Sequence, residues 1–272
     1  MNILKTEKKE AIITGLVEGV SIRSLERMSG IHRDTIMRLL VKTGNACESI
    51  MDTKMHKLTC KNIEVDELWT YVGKKQRHVT INDNPYEVGD FYTFVAVDSD
   101  TKLIPSYKVG KRDLVTAKEF ISDLSSRLDN RIQLSSDKLK AYVEAIECGF
   151  GGNVDYGQIV KSYEAEPIGA GRYSPPKVIS TTKQFIVGSP DPNKICTSHV
   201  ERLNLTIRMQ NRRFTRLTNA FSKKLENLKA AVALYFTYYN FIRVHSSLRI
   251  TPAMAAGITN KVWTISDLIE AN

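Results

Sequence analysis

The sequence predicts an α/β protein: an N-terminal helix-turn-helix, then a mixed sheet flanked by helices, then C-terminal helices. Three observations predict it. Apolar residues recur at helical spacing from residue 6 to residue 42, broken by a glycine turn. Between residues 63 and 136, runs of β-branched and aromatic residues alternate with turn clusters and one amphipathic helix, as in a sheet with a crossover. From residue 196 onward the spacing is helical again, with arginine and lysine crowded around it. The expected divisions are 1–46 for the helix-turn-helix, 47–60 for a linker, 61–217 for the sheet domain with an insert at about 151–195, and 218–272 for a helical extension.

Charge and cysteine usage narrow the partners. The 272-residue chain has 39 Lys plus Arg against 30 Asp plus Glu, an excess that favours a polyanion such as nucleic acid. Cys47, Cys60, Cys148 and Cys196 are scattered, without metal-finger or disulfide spacing, so reduced thiols and no zinc are expected. The first ten residues, MNILKTEKKE, are polar, and no apolar run is long enough to span a bilayer. The expectation is a cytoplasmic, nucleoid-associated protein with no membrane partner.

Thr6 to Val17 reads as a helix with Ile12, Ile13, Leu16 and Val17 on one stripe, closed by Gly19. Ser21 caps a second helix, Ile22 to Met28, and Ser29-Gly30-Ile31 makes a tight turn. A third helix is expected from about His32 to Lys42. Helix, glycine turn, helix is the pattern whose second helix enters the major groove. His32, Arg33 and Arg38 lead that helix and are the expected base or phosphate contacts. Gly44 to Cys60 reads as a linker helix or loop.

Ile63 to Val72 has strong strand propensity and carries Asp66 in its middle. An acid in a buried-looking strand is costly unless it meets a cation or a partner. Phe91 to Asp98 and Leu103 to Val109 read as the next two strands, and Leu114 to Leu128 as a helix begun at Asp113. Arg131 to Ser136 is a fourth strand ending at Asp137, and Leu139 to Cys148 is helical. An acid at the carboxyl end of a strand after a crossover is where open α/β sheets place their sites, though Asp137 equally suits a helix cap. Gly149 to Asn153 reads as a connector and Asp155 to Tyr163 as a further strand. Glu164 to Pro192 reads as irregular, with Lys177 and Lys183 exposed.

Cys196 to Leu217 reads as one amphipathic helix, capped by Thr197 or Ser198, with Leu205 and Met209 on its apolar face. Its only acid, Glu201, lies near one stripe with Arg208 and Arg212, and Arg202, Arg213 and Arg216 add charge around it. Phe221 to Val244 is a long helix whose aromatic residues, Tyr235 to Phe241, read as core, and Thr251-Pro252-Ala253 starts a short last helix.

Asp66, Asp137 and Glu201 therefore stand out. The element order matches a ribonuclease H-like arrangement, whose first and fourth strands are neighbours, so Asp66 and Asp137 can point at one spot. Such oxygen ligands suit Mg²⁺ or Mn²⁺, and two ions about 4 Å apart serve phosphodiester chemistry. Glu164 and Glu166 are alternatives to Glu201 as the third acid.

Four stretches carry a resemblance: VDELWTYVGKK (Val65 to Lys75), SSDKLKAY (Ser135 to Tyr142), SHVERLNLTIRMQNRRFTRLTNAFSKKLENLKAA (Ser198 to Ala231) and YNFIRVHSSLRITPAMAAG (Tyr239 to Gly257). They resemble the IS1-type insertion-sequence transposases, and the likeness covers most of the chain. It implies a DDE recombinase that cuts the ends of its element and joins them to target DNA. By that resemblance Asp66, Asp137 and Glu201 are the metal-binding triad, and His199 and Asn204 support it or face DNA. Many members carry a four-cysteine zinc segment ahead of the helix-turn-helix, and this chain has none. Arg208, Arg212, Arg213, Arg216, Lys223 and Lys224 are expected to hold phosphates of double-stranded DNA. Joining two ends calls for at least a dimer on DNA. The alternatives are a catalytically silent transposase-derived regulator and a structure-specific nuclease of the same fold.

Overall fold

A computed structural model describes residues 4–164 and 178–270. Three helices come first: α1 (Thr6–Val17), α2 (Ile22–Ser29) and α3 (Arg33–Lys54). Ser21 Oγ accepts the Ser24 N–H at 3.0 Å and so starts α2, and Gly30, at φ +69°, ends it. Ile12, Leu25, Ile31 and Ile36 form a small core among the three. The helix expected to stop near Lys42 continues to Lys54, through the stretch read as a linker. Its charged residues face outward, while Thr43, Gly44, Cys47, Ile50 and Met51 are buried at spacings of three and four. Gly44 lets the helix cross close to another: a Cβ there would stand 2.6 Å from the backbone of Ala230.

The strands are β1 (Asn62–Val72), β2 (Gly89–Asp98), β3 (Tyr107–Gly110), β4 (Ile132–Ser136), β5 (Val154–Tyr163) and β6 (Val178–Val187). They form one six-stranded mixed sheet in the order β3-β2-β1-β4-β5-β6. β1–β4 and β4–β5 are parallel and the other pairs antiparallel. Helices α4 (Leu114–Arg127) and α5 (Lys140–Phe150) follow β3 and β4 and pack together over one face. The opposite face of β1 and β2 is covered by α6 (Ser198–Gln210) and α7 (Leu225–Phe241). This order is compatible with the expected ribonuclease H-like arrangement.

Two expectations for the strands change. The third strand begins at Tyr107 rather than Leu103. Pro105 has no N–H to give a ladder, and the Asn240 side chain binds both the N–H and the carbonyl of Ile104 in place of a strand. The segment read as irregular after Glu164 contains β6, whose Val178, Ile179 and Phe185 are strand formers that the neighbouring Gly/Pro-rich stretch masks when composition is averaged. Glu166 and Lys177 lie outside the described residues, whereas Lys183 is exposed as expected.

The helix expected from Cys196 to Leu217 ends at Gln210, and a 3-10 turn, Arg212–Phe214, follows. Asn211 breaks it: its Oδ1 accepts the Arg213 N–H at 3.2 Å and its Nδ2 donates to the Ala231 carbonyl at 3.1 Å. The buried face is Val200, Leu203, Asn204 and Ile207, while Leu205 and Met209 are exposed. The long C-terminal helix runs over Leu225–Phe241, with Tyr235, Phe236, Tyr239 and Phe241 buried as core. Two short helices, α8 (Pro252–Ala255) and α9 (Ile265–Glu270), close the described chain; the second has no counterpart in the sequence reading. Among the described residues no helix is long and apolar enough to cross a membrane.

Candidate functional site

The parallel register of β1 and β4 ends at the pair Val65↔Ser136. Asp66 and Asp137 come next on their strands, and they meet. Oxygens of Asp66, Glu67 and Asp137 all lie within 4.8 Å of one another. Asp66 Oδ1 accepts the Glu67 N–H at 2.8 Å, and its Oδ2 accepts from Asn204 Nδ2 of α6 at 2.7 Å. Asp137 Oδ1 accepts the Leu139 N–H at 2.9 Å, a turn contact, and α5 has no side-chain cap. Glu67 projects toward α5, where Tyr142 Oη donates to it at 3.2 Å, and Arg112 Nε binds it at 2.7 Å.

Burial and crowding make Asp66 and Glu67 reluctant to ionise. Burial pushes Asp66 up to about 6, and the charges of Asp137 and Glu201 add to that. Glu67 is pushed up to about 7, first by burial and then by Asp137 and Asp66, with Arg112 opposing. Such a group of largely buried carboxylates is a set of hard donors short of a cation.

Glu201 stands in the first turn of α6, outside that group. It is half exposed, pairs with Lys161 Nζ of β5, and accepts from Thr197 Oγ1 at 2.8 Å. It is near enough for its charge to act on Asp66. The start of α6 is fixed from an unexpected direction. Glu64, buried on β1, accepts the N–H groups of His199 at 2.8 Å and Val200 at 3.0 Å, and its other oxygen bonds His199 Nδ1 at 2.6 Å. A carboxylate from the sheet thus caps the helix that carries Glu201 and Asn204.

Sequence reasoning missed Glu64 and Glu67. Glu64 had a signal: it stands two positions before Asp66, hence on the same strand face, so the reasoning that singled out Asp66 extends to it. Glu67 had none, because Arg112 and Tyr142 reach it only through the fold.

The basic residues divide into two groups. Arg208 lies along α6 beyond Asn204, half-buried, with its Nη1 buried and unpartnered. Burial, then the nearby Arg216, pushes it down to about 10, against the pull of Asp66. Because the helix breaks at Asn211, Arg212 and Arg213 leave the stripe of Glu201 and Arg208 and line a separate cavity with Arg33 and Lys223. Arg216 and Lys224 are exposed. At the start of α3, exposed His32 accepts the Asp34 N–H through Nδ1 at 3.3 Å, and exposed Arg38 donates to Thr35 Oγ1 at 3.2 Å.

The arrangement therefore offers an acid group able to hold a divalent cation, an adjoining helix bearing a further acid and unpaired cationic atoms, and a second basic region near the N-terminal helices. No family model matches this chain, and no curated protein matches it.

Proposed function

We propose that the protein is a DNA transposase of the IS1 type, cutting DNA at element ends and joining the freed 3′-OH to target DNA. The observation that carries this reading is the meeting of Asp66 and Asp137 just past the end of the β1–β4 register. Their oxygens, with Glu67, suit Mg²⁺ or Mn²⁺, and the raised pKa values of Asp66 and Glu67 mark a deficit that such a cation relieves. Asp66 and Asp137 would hold it, with Glu67 or Glu201 completing the set. Divalent ions bound there supply an activated oxygen nucleophile and neutralise the leaving oxygen.

The remaining work falls to the chain's own side chains. Asn204 fixes the Asp66 carboxylate, and Arg112 and Tyr142 fix Glu67. Glu64 sets the position of α6 through its first N–H groups. Arg208, within reach of the charge of Asp66 and with a buried unpartnered Nη1, is the side chain this reading assigns to a phosphate oxygen of the strand being cut. In this reading α2 and α3 form the helix-turn-helix, His32, Arg33 and Arg38 contact the end sequence, and two copies act together on DNA.

The test is cutting of a supercoiled plasmid carrying the native flanks of the gene, in Mn²⁺ and in EDTA, beside Asp137→Ala. Metal-dependent nicks at the flanks, lost in the variant, and a joined product are expected. Nicks that persist in Asp137→Ala refute the site. A second reading draws on Glu201, which is paired with Lys161 and stands outside the acid group. It makes the protein a transposase-derived regulator, which binds the flanks without nicking them in any metal.

A further inference from the structure

A cavity of about 660 Å³ lies between α1, α2 and α3 on one side and residues 211–223 with α7 on the other. Pockets that seat small ligands run from about 300 to 1,000 Å³. Its lining has two characters. Met37, Leu40, Phe221 and Leu234 give it an apolar wall. Arg23, Arg33, Arg212, Arg213 and Lys223 give it a cationic one, against the single acid Asp34. Among the described residues none of these five cationic side chains has an ion-pair or hydrogen-bond partner. Arg212 Nε is in addition buried without an acceptor, an arrangement that costs about 1–3 kcal/mol until something accepts from it.

An occupant must therefore bring acceptors and negative charge to one wall and a flat apolar body to the other. Inorganic phosphate leaves the apolar wall bare, and a plain hydrocarbon leaves the cations unpaired. A nucleotide satisfies both. Phe221, already stacked on Tyr71 with ring centroids 4.6 Å apart, adds an aromatic surface to the apolar wall. We propose that this cavity seats one nucleotide of a DNA strand, its base on the apolar wall and its phosphate among Arg33, Arg212, Arg213 and Lys223. The inference rests on DNA being the substrate. It adds a role that phosphate contacts alone do not supply: the seated nucleotide touches both the N-terminal helices and the α6–α7 connection, so it fastens one to the other.

The experiment uses the full chain and single-stranded oligonucleotides with 2-aminopurine at successive positions, beside free 2-aminopurine deoxyriboside monophosphate and inorganic phosphate. The fluorescence of 2-aminopurine reports loss of stacking on its neighbours. Ala220→Trp fills the cavity from one wall and Met37→Trp from the other, so a fold defect in one is checked by the second; Lys223→Met removes a cation. A fluorescence change is expected in the bound strand, abolished by either Trp variant, with affinity falling roughly tenfold as the base contact is lost. Lys223→Met should lower affinity and flatten the salt dependence. Oligonucleotide binding with no fluorescence change at any position, or unaltered in both Trp variants, overturns the assignment while leaving the transposase reading intact. If the free monophosphate binds as tightly as the strand, the cavity serves free nucleotides and the strand assignment fails. If inorganic phosphate or an acidic peptide competes equally well, the base plays no part and the assignment fails. Absence of any DNA binding overturns both readings.

Discussion

Replacing Asp66 by Asn separates the cation hypothesis from any assay of DNA. Folding carries this carboxyl from its ordinary 3.8 to about 6, mainly through burial. The folded chain therefore holds the proton more tightly than the unfolded one. In the metal-free protein the group is harmless below about pH 4, and its cost grows as pH rises to about 6 and then levels off. At about 1.4 kcal/mol per pH unit, the ionised carboxylate costs on the order of 3 kcal/mol at pH 8. Asn keeps the shape and drops the charge. Its Oδ1 retains the Glu67 N–H, and its Nδ2 faces Asn204, whose own Oδ1 is buried without a partner. A half-turn of the Asn204 amide restores the contact between the two side chains. In EDTA at pH 8, Asp66→Asn should therefore be more stable than the parent by about 2–3 kcal/mol, or about 5–10 °C in melting midpoint. At pH 4 the difference should vanish. Mn²⁺ should raise the parent's midpoint and leave that of the variant unmoved. Thermal melts followed by circular dichroism at pH 4, 6 and 8, with and without Mn²⁺, decide it. A variant less stable than the parent at pH 8 in EDTA, or an equal Mn²⁺ response in both, refutes the reasoning.

Three further changes probe the frame around the site. Arg127, whose side chain is 9% exposed, binds Asp123, Asp52 and the Met51 carbonyl and so ties α4 to α3. Arg127→Met strands those acceptors and should cost about 2–4 kcal/mol in urea denaturation. Gly44→Val forces side-chain atoms into the backbone of Ala230, 2.6 Å from where a Cβ would stand, and should cost about 3 kcal/mol or more by the same measurement, since α3 and α7 must separate. Glu64→Gln keeps one acceptor for the start of α6 but loses the charge that favours it, for a cost of about 1–2 kcal/mol. Hydrogen exchange of the His199 and Val200 amides should speed up in that variant before global stability changes much, and unchanged exchange would deny Glu64 its capping role.

Much of the frame could be read from the chain because local chemistry decided it. Ser21, Gly30 and Asp113 mark helix ends with their own side chains or φ, and α1, α2 and α4 fall close to the expected limits. Asp66 and Asp137 were also legible, because an acid in a strand or at its end stands out against its neighbours. Leu205 and Met209 have the spacing of a buried face, yet the face that meets β1 is the one holding Val200, Leu203 and Ile207. This one was open to local reading, since Val200, Leu203 and Ile207 set three apolar residues at i, i+3 and i+7 against two on the other face. What could not be read depends on contacts between distant segments. Glu67 resembles any polar strand residue until Arg112 and Tyr142 close around it. The pairing of Glu201 with Lys161 depends on β5 lying next to β4.

The β1–β4 register has a consequence for how this site tolerates change in length. Because Asp66 and Asp137 follow directly on the last paired residues, their meeting is recorded in a count along two strands and not in the connections between them. The turns that lead from β1 through β2 and β3 to α4 can grow or shrink without moving either carboxylate. One residue added inside β1 ahead of Asp66 acts instead like a frameshift: side chains alternate across the sheet, so the acid turns to the opposite face and its neighbour takes its place. Insertions in this chain thus sort into two kinds, silent in the loops and all-or-nothing in two short strands.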